Sequence, residues 1–175
     1  MSFTGQQSSP PTIFWRVRER PGCTTVEISG ELNENVDLGS LRRRLKGRVS
    51  LNLGGVRRIN SSGVREWVNF IRDLSTTAEI TLSHCRPVIV AQLNMIFNFG
   101  GKARVTSFYA PYACSRCDRE EEMLVSLEAH FAGRDFALMP EFRCSGCGGS
   151  MQFDEVAERY LVFLRDQKRT SNGAT

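Results

Sequence analysis

The sequence predicts an α/β fold: a mixed β-sheet with packed helices, followed by a small cysteine-rich module and a C-terminal helix. Three observations carry that expectation. Segments with strand period and segments with helix period alternate through the N-terminal part of the chain. One stretch, Val49 to Gly63, joins a strand to a helix through a Gly-Gly pair and a hydroxyl-rich cluster. Farther on, two Cys-x-x-Cys pairs stand in one short module, at Cys114/Cys117 and Cys144/Cys147.

The bulk numbers are those of a globular protein: 175 residues, 41% hydrophobic and 24% charged. No apolar run reaches the length of a membrane span, and the N-terminus lacks the charged-then-apolar form of a signal peptide. The expectation is a cytoplasmic protein without membrane insertion. A net charge of +4 with no long basic tract does not indicate nucleic-acid binding. Six cysteines without an export signal point to metal binding or free thiols in place of disulfides.

Taken in order, residues 1–11 are rich in Ser, Gln, Gly and Pro and read as a disordered tail. Ile13–Arg18 and Thr24–Ile28 alternate as two strands around Pro21-Gly22, an opening hairpin with Cys23 as a bystander thiol. The polar stretch Asn33–Asp37 caps a helix that turns Leu38, Leu41 and Leu45 inward. That helix carries Arg42, Arg43, Arg44 and Lys46, with Arg48 beyond. These cations read either as a solvated face near the negative end of the helix dipole or as a docking surface for an acidic partner.

Val49, Leu51 and Leu53 alternate with Ser50 and Asn52 as a strand, which Gly54-Gly55 is expected to end. Asn60-Ser61-Ser62-Gly63 then offers capping side chains to a helix with Val64, Trp67, Val68, Ile71 and Leu74 on one face. A hydroxyl there either caps the helix or accepts a phosphate that the helix N-terminus stabilises, and local chemistry leaves both open. Ile80–Ser83 reads as the next strand. Pro87 opens a helix with Val88, Ala91, Gln92, Met95 and Ile96, which Gly100-Gly101 closes, and Val105–Tyr109 forms a further strand. His84 and Cys85 are adjacent in an extended segment and so point to opposite faces. They read as a surface histidine and a buried cysteine, not as a catalytic pair.

Two of these stretches carry a family likeness. Leu51 to Gly63 resembles the signature of STAS domains, the bacterial anti-sigma-factor antagonists, in which an apolar strand leads into Asp-Ser-Ser/Thr-Gly. Ile28-Ser29-Gly30-Glu31-Leu32 resembles the ending of the family's second strand. The likeness covers residues 12–108 and implies helices packed against a mixed sheet. It also implies a partner-binding surface at Asn33, Asn60, Ser61, Ser62, Gly63 and Arg65, with Ser61, or its neighbour Ser62, as the hydroxyl that a partner kinase phosphorylates. The chain departs from the pattern at two places: Asn33 and Asn60 stand where the family has acidic residues.

The cysteine pairs complete the organisation. Two Cys-x-x-Cys knuckles place four thiolates, those of Cys114, Cys117, Cys144 and Cys147, around one ion, and the pattern looks like a zinc ribbon over residues 109–153. A closed four-sulfur shell makes the expected zinc structural. Glu122–Leu127 and Asp135–Leu138 are its expected strands, joined by a loop around Gly133. The largely acidic run Asp118–Glu122 disfavours phosphate binding. Residues 154–167 read as a helix with Val156, Tyr160, Leu161 and Leu164 in one stripe, and 168–175 as a tail. That stripe needs a partner surface: the ribbon, the sheet, or a second copy in a homodimer. The functional expectation is a non-enzymatic regulatory module that docks an anti-sigma-type kinase or another signalling or assembly protein. The alternative is a constitutive subunit, such as the STAS subunit of an ABC transporter.

Overall fold

The computed structural model describes residues 13–132 and 138–165. Residues 1–11 and 168–175, the loop at Gly133 and the expected strand residues Asp135–Ala137 lie outside them. Pro21-Gly22 turns the chain between β1 (Phe14–Arg20) and β2 (Cys23–Leu32), with Gly22 at φ +82. The hairpin is antiparallel, pairing Arg16 with Glu27 and Val17 with Val26. Then α1 (Leu38–Arg42) leads to β3 (Gly47–Ile59), α2 (Ser61–Leu74) to β4 (Ala78–Ser83), and α3 (Pro87–Met95) to the short β5 (Arg104–Val105). Those crossovers make β2, β3, β4 and β5 parallel, in a sheet of order β1-β2-β3-β4-β5. The first sheet is therefore mixed, as expected.

Strand period sets the core. Val26, Ile28 and Leu32 of β2, Val49, Leu51 and Leu53 of β3, and Ile80 and Leu82 of β4 are buried on one face. They share a cluster with Leu38 and Leu41 of α1, Trp67, Ile71 and Leu74 of α2, and Ile89 and Val90 of α3. Each such large apolar side chain contributes roughly 1.5–3 kcal/mol on burial. On the other face of the sheet Glu27, Ser29, Asn52 and Thr81 stay half-buried.

The second sheet is antiparallel, of order β7-β6-β9-β8. It is built from β6 (Ser107–Cys114), β7 (Glu120–Ser126), β8 (Phe142–Arg143) and β9 (Ser150–Phe153), with α4 (Leu127–Phe131) after β7 and α5 (Ala157–Tyr160) after β9.

Several expectations need correction. Gly54-Gly55 does not end β3, which continues to Ile59. A Cβ on Gly55 would lie 2.3 Å from that of Ser29, so the glycine marks a close approach of β2 and β3, beside a register shift in β2 between Glu27 and Ser29. In α3 the fully buried residues are Ile89 and Val90, while Met95 is 72% exposed; the consecutive Val88, Ile89 and Val90 left the period ambiguous. The segment Val105–Tyr109 is not one strand. Thr106 bonds to Leu82 O through both its N–H and its hydroxyl, while its own carbonyl accepts from Leu127 N, so the chain passes from one sheet to the other there.

Leu127 begins a short helix, and Leu138 is exposed outside any strand. Phe153 ends a strand in place of opening a helix, and Val156 is 51% exposed. The apolar stripe instead runs through Tyr160, Leu161, Phe163 and Leu164 and lies on β6 and α3. Phe163 meets the ring of Phe108 edge-on at 5.5 Å, and the Tyr160 hydroxyl donates to Tyr109 O at 2.7 Å. Asn94 of α3 donates to Tyr160 O and accepts from Phe163 N.

Candidate functional site

The junction between β3 and α2 gathers the residues singled out by the STAS likeness. Asn60 is the helix N-cap: its Oδ1 accepts from Gly63 N at 2.8 Å. Ser61 and Ser62 are therefore the first helical residues and not the cap. Both are exposed, and neither hydroxyl has a hydrogen-bond partner among the described residues. Gly63 is buried because the first turn of α2 rests on the end of β2. Asn60 N donates to Leu32 O at 3.1 Å, which fixes that seat.

Beyond Leu32, Asn33 accepts from Asn35 N at 3.0 Å, closing the loop into α1. The next residue, Glu34, was not singled out from the sequence, since nothing in its spacing shows a partner 26 positions away. Its carboxylate accepts from Asn60 Nδ2 at 2.8 Å. That bond, with a backbone bond in support, holds the Glu34 carboxyl below its ordinary range. A carboxylate thus bonds to the residue that precedes Ser61, although Asn33 and Asn60 are themselves amides. Arg65, one turn into α2, is exposed and has no ion-pair partner among the described residues.

On the face of the sheet that carries Glu27, Ser29 and Asn52, a cavity of about 330 Å³ is lined by those residues and by Gly54, His84 and Tyr109, among others. His84 is half-buried, with φ +54, and its N–H donates to Ser107 Oγ at 2.9 Å. Cys85 is fully buried, and burial pushes its thiol up to about 12. Among the described residues no hydrogen bond joins the two side chains, so they do not form a nucleophile–base pair.

The second cluster is that of Cys114, Cys117, Cys144 and Cys147, whose sulfurs all lie within 4.8 Å of one another. The two knuckles have the same backbone plan. Cys114 N donates to Arg119 O and Asp118 N to Cys114 O; in the second, Cys144 N donates to Gly149 O and Gly148 N to Cys144 O. The residue after each second cysteine takes a left-handed φ, +53 at Asp118 and +69 at Gly148. Backbone N–H groups of Arg116 and Gly149 point at the sulfurs of Cys114 and Cys147. The bond from Arg116 holds the Cys114 thiol down, to about 6.

Sulfur pairs at 3.5 Å (Cys114–Cys147) and 3.7 Å (Cys117–Cys144) suit a tetrahedral ion with metal–sulfur bonds of about 2.3 Å, whose ligands stand about 3.8 Å apart. All six cysteines are free of disulfides. The donor set fits a metal ion. Among the described residues no hydrogen bond or ion pair joins this cluster to the surface at Asn60–Arg65. No helix there is long and apolar enough to cross a membrane.

No protein-family model matches the chain, and a search of curated proteins finds no match either. The likeness to STAS domains rests on the two motifs themselves.

Proposed function

We propose that this chain is a regulatory protein-docking module of the anti-sigma-factor antagonist type, not an enzyme. It binds a signalling partner through the end of β2 and the first turns of α2. The observation that carries the reading is the state of Ser61: exposed at a helix start, with its hydroxyl unbonded among the described residues and Asn60 already capping the helix. Capping, the structural reason for a serine there, is taken by its neighbour. A partner kinase would transfer the γ-phosphoryl of ATP to Ser61 Oγ, releasing ADP and the hydroxyl proton. The added charge of about −2 would weaken docking by desolvation and by repulsion from any acidic partner surface.

The four-cysteine cluster is read as a structural zinc site. Four sulfurs leave no open position for substrate, and thiolate-only tetrahedral sets suit zinc. When bound, the ion cross-links the two knuckles. The chain's own contribution is to aim the N–H groups of Arg116 and Gly149 at the sulfurs of Cys114 and Cys147.

One observation favours a second reading, a constitutive subunit of a larger assembly such as an ABC transporter. Asn33 and Asn60 both turn their amide oxygens to local backbone N–H groups, as structural caps do. Affinity capture from the source cells with wild type, Ser61→Ala and Ser61→Asp separates the readings. A kinase-like partner held by wild type and Ala and lost with Asp supports the switch. The same partner on all three baits overturns it and leaves constitutive assembly.

A further inference from the structure

The end of the first sheet opposite Ser61 is strongly basic and carries two large exposed apolar side chains. Arg20 ends β1, and Arg48 at the start of β3 reaches across to Gly22 O at 3.0 Å. Arg44 and Lys46 lead into β3, beside Thr77, whose carbonyl accepts from Gly47 N. Lys102 and Arg104 lead into β5, and Gly101 lies against Ile71 and Ser75 at the end of α2. Those six cations are exposed, and none has an ion-pair partner among the described residues. The acids nearby among the described residues are Glu19, which precedes Arg20 in β1, Asp73, which is paired with Arg72, and Glu79, which stands beside Arg48 in the register.

From this end projects the loop after α3. Phe99 is fully buried, stacked on Trp67 at 5.8 Å, and its carbonyl accepts from Trp67 Nε1 at 3.0 Å. Two residues earlier Phe97 is 89% exposed, and Met95 is 72% exposed. The turn between them is fixed by Asn98 at φ +63 and by Gly101 N donating to Asn98 O. An anchored loop therefore holds Phe97 outward while a second phenylalanine secures it. Large apolar side chains kept in water on a firmly seated loop ask for a partner surface.

We propose that this end of the sheet adsorbs to an anionic lipid surface. Unpaired cations around projecting apolar side chains match negative headgroups above an apolar interior, into which Phe97 and Met95 would reach. Adsorption this way leaves Ser61 at the far end of the 13-residue β3, turned to the solvent.

Co-sedimentation of the full chain with vesicles tests this, using phosphatidylcholine alone and with about one-third phosphatidylglycerol. Wild type is expected on the anionic vesicles and at least about fivefold less on the neutral ones. Arg44→Glu with Lys46→Glu, and separately Phe97→Ser, are each expected to weaken binding about tenfold; all three positions are exposed, and unchanged circular dichroism melting verifies the fold. No sedimentation with anionic vesicles at low salt overturns the proposal. So does undiminished binding by Phe97→Ser, or capture of an oligonucleotide or an acidic protein by a chain that ignores vesicles.

Discussion

A Cβ placed on Gly63 would stand 2.1 Å from the carbonyl oxygen of Leu32. The first turn of α2 is seated directly on the backbone at the end of β2, which brings the Ser61 motif against the Glu31-Leu32-Asn33 segment. The obstruction is backbone, which cannot swing aside as a side chain can. Gly63→Ala is therefore expected to destabilise the fold by about 2–3 kcal/mol in urea unfolding and to shift amide resonances at residues 31–36. Near-neutral unfolding would show that the two motifs do not lean on each other.

Asn60 has two separable tasks. Asn60→Ala removes both the cap on Gly63 N and the donor to Glu34, and is expected to cost about 1 kcal/mol. Asn60→Asp keeps the cap but sets a second carboxylate beside Glu34. It should unfold nearer to wild type than Ala does at neutral pH.

The same pair predicts a pH dependence. The Glu34 carboxyl is held below its ordinary range chiefly by the Asn60 side chain. A carboxyl depressed in the folded state adds stability above its unfolded value of about 4.3, and that stability is lost as pH falls through the lower folded value. Wild type should keep this contribution at neutral pH and lose it in acid. Carbon-detected NMR titration should find Glu34 low in wild type and returned toward the ordinary range in Asn60→Ala.

One metal ion per chain, zinc by atomic spectroscopy, is the expected content of the purified protein. Its removal by a chelator should lower Tm by on the order of 10 °C, at ~2–4 °C per kcal/mol for a chain of this size. Cys144→Ser should do the same. Amide protection should fall first in β8 and β9, which flank the second knuckle, while β2, β3 and β4 keep theirs.

What could be read from the sequence was local. The hairpin turn at Gly22, the burial of Leu38, Leu41 and Leu45, Pro87 as a helix start and the two cysteine knuckles each follow from neighbours in the chain. What could not be read depends on distant partners. Gly55 looks like a strand breaker until Ser29 is set against it, and Thr106 looks like mid-strand until Leu82 and Leu127 claim its backbone. Glu34 gains its place only when Asn60 folds onto it. In α3, three consecutive apolar residues hide the buried face, which the sheet selects.

Amide hydrogen exchange of the chain, alone and with its captured partner, tests the docking claim most directly. The account predicts new protection at residues 31–36 and 60–66 and none at 97–104. Protection confined to the cysteine module or to the basic end, with the first turns of α2 unchanged, would contradict it.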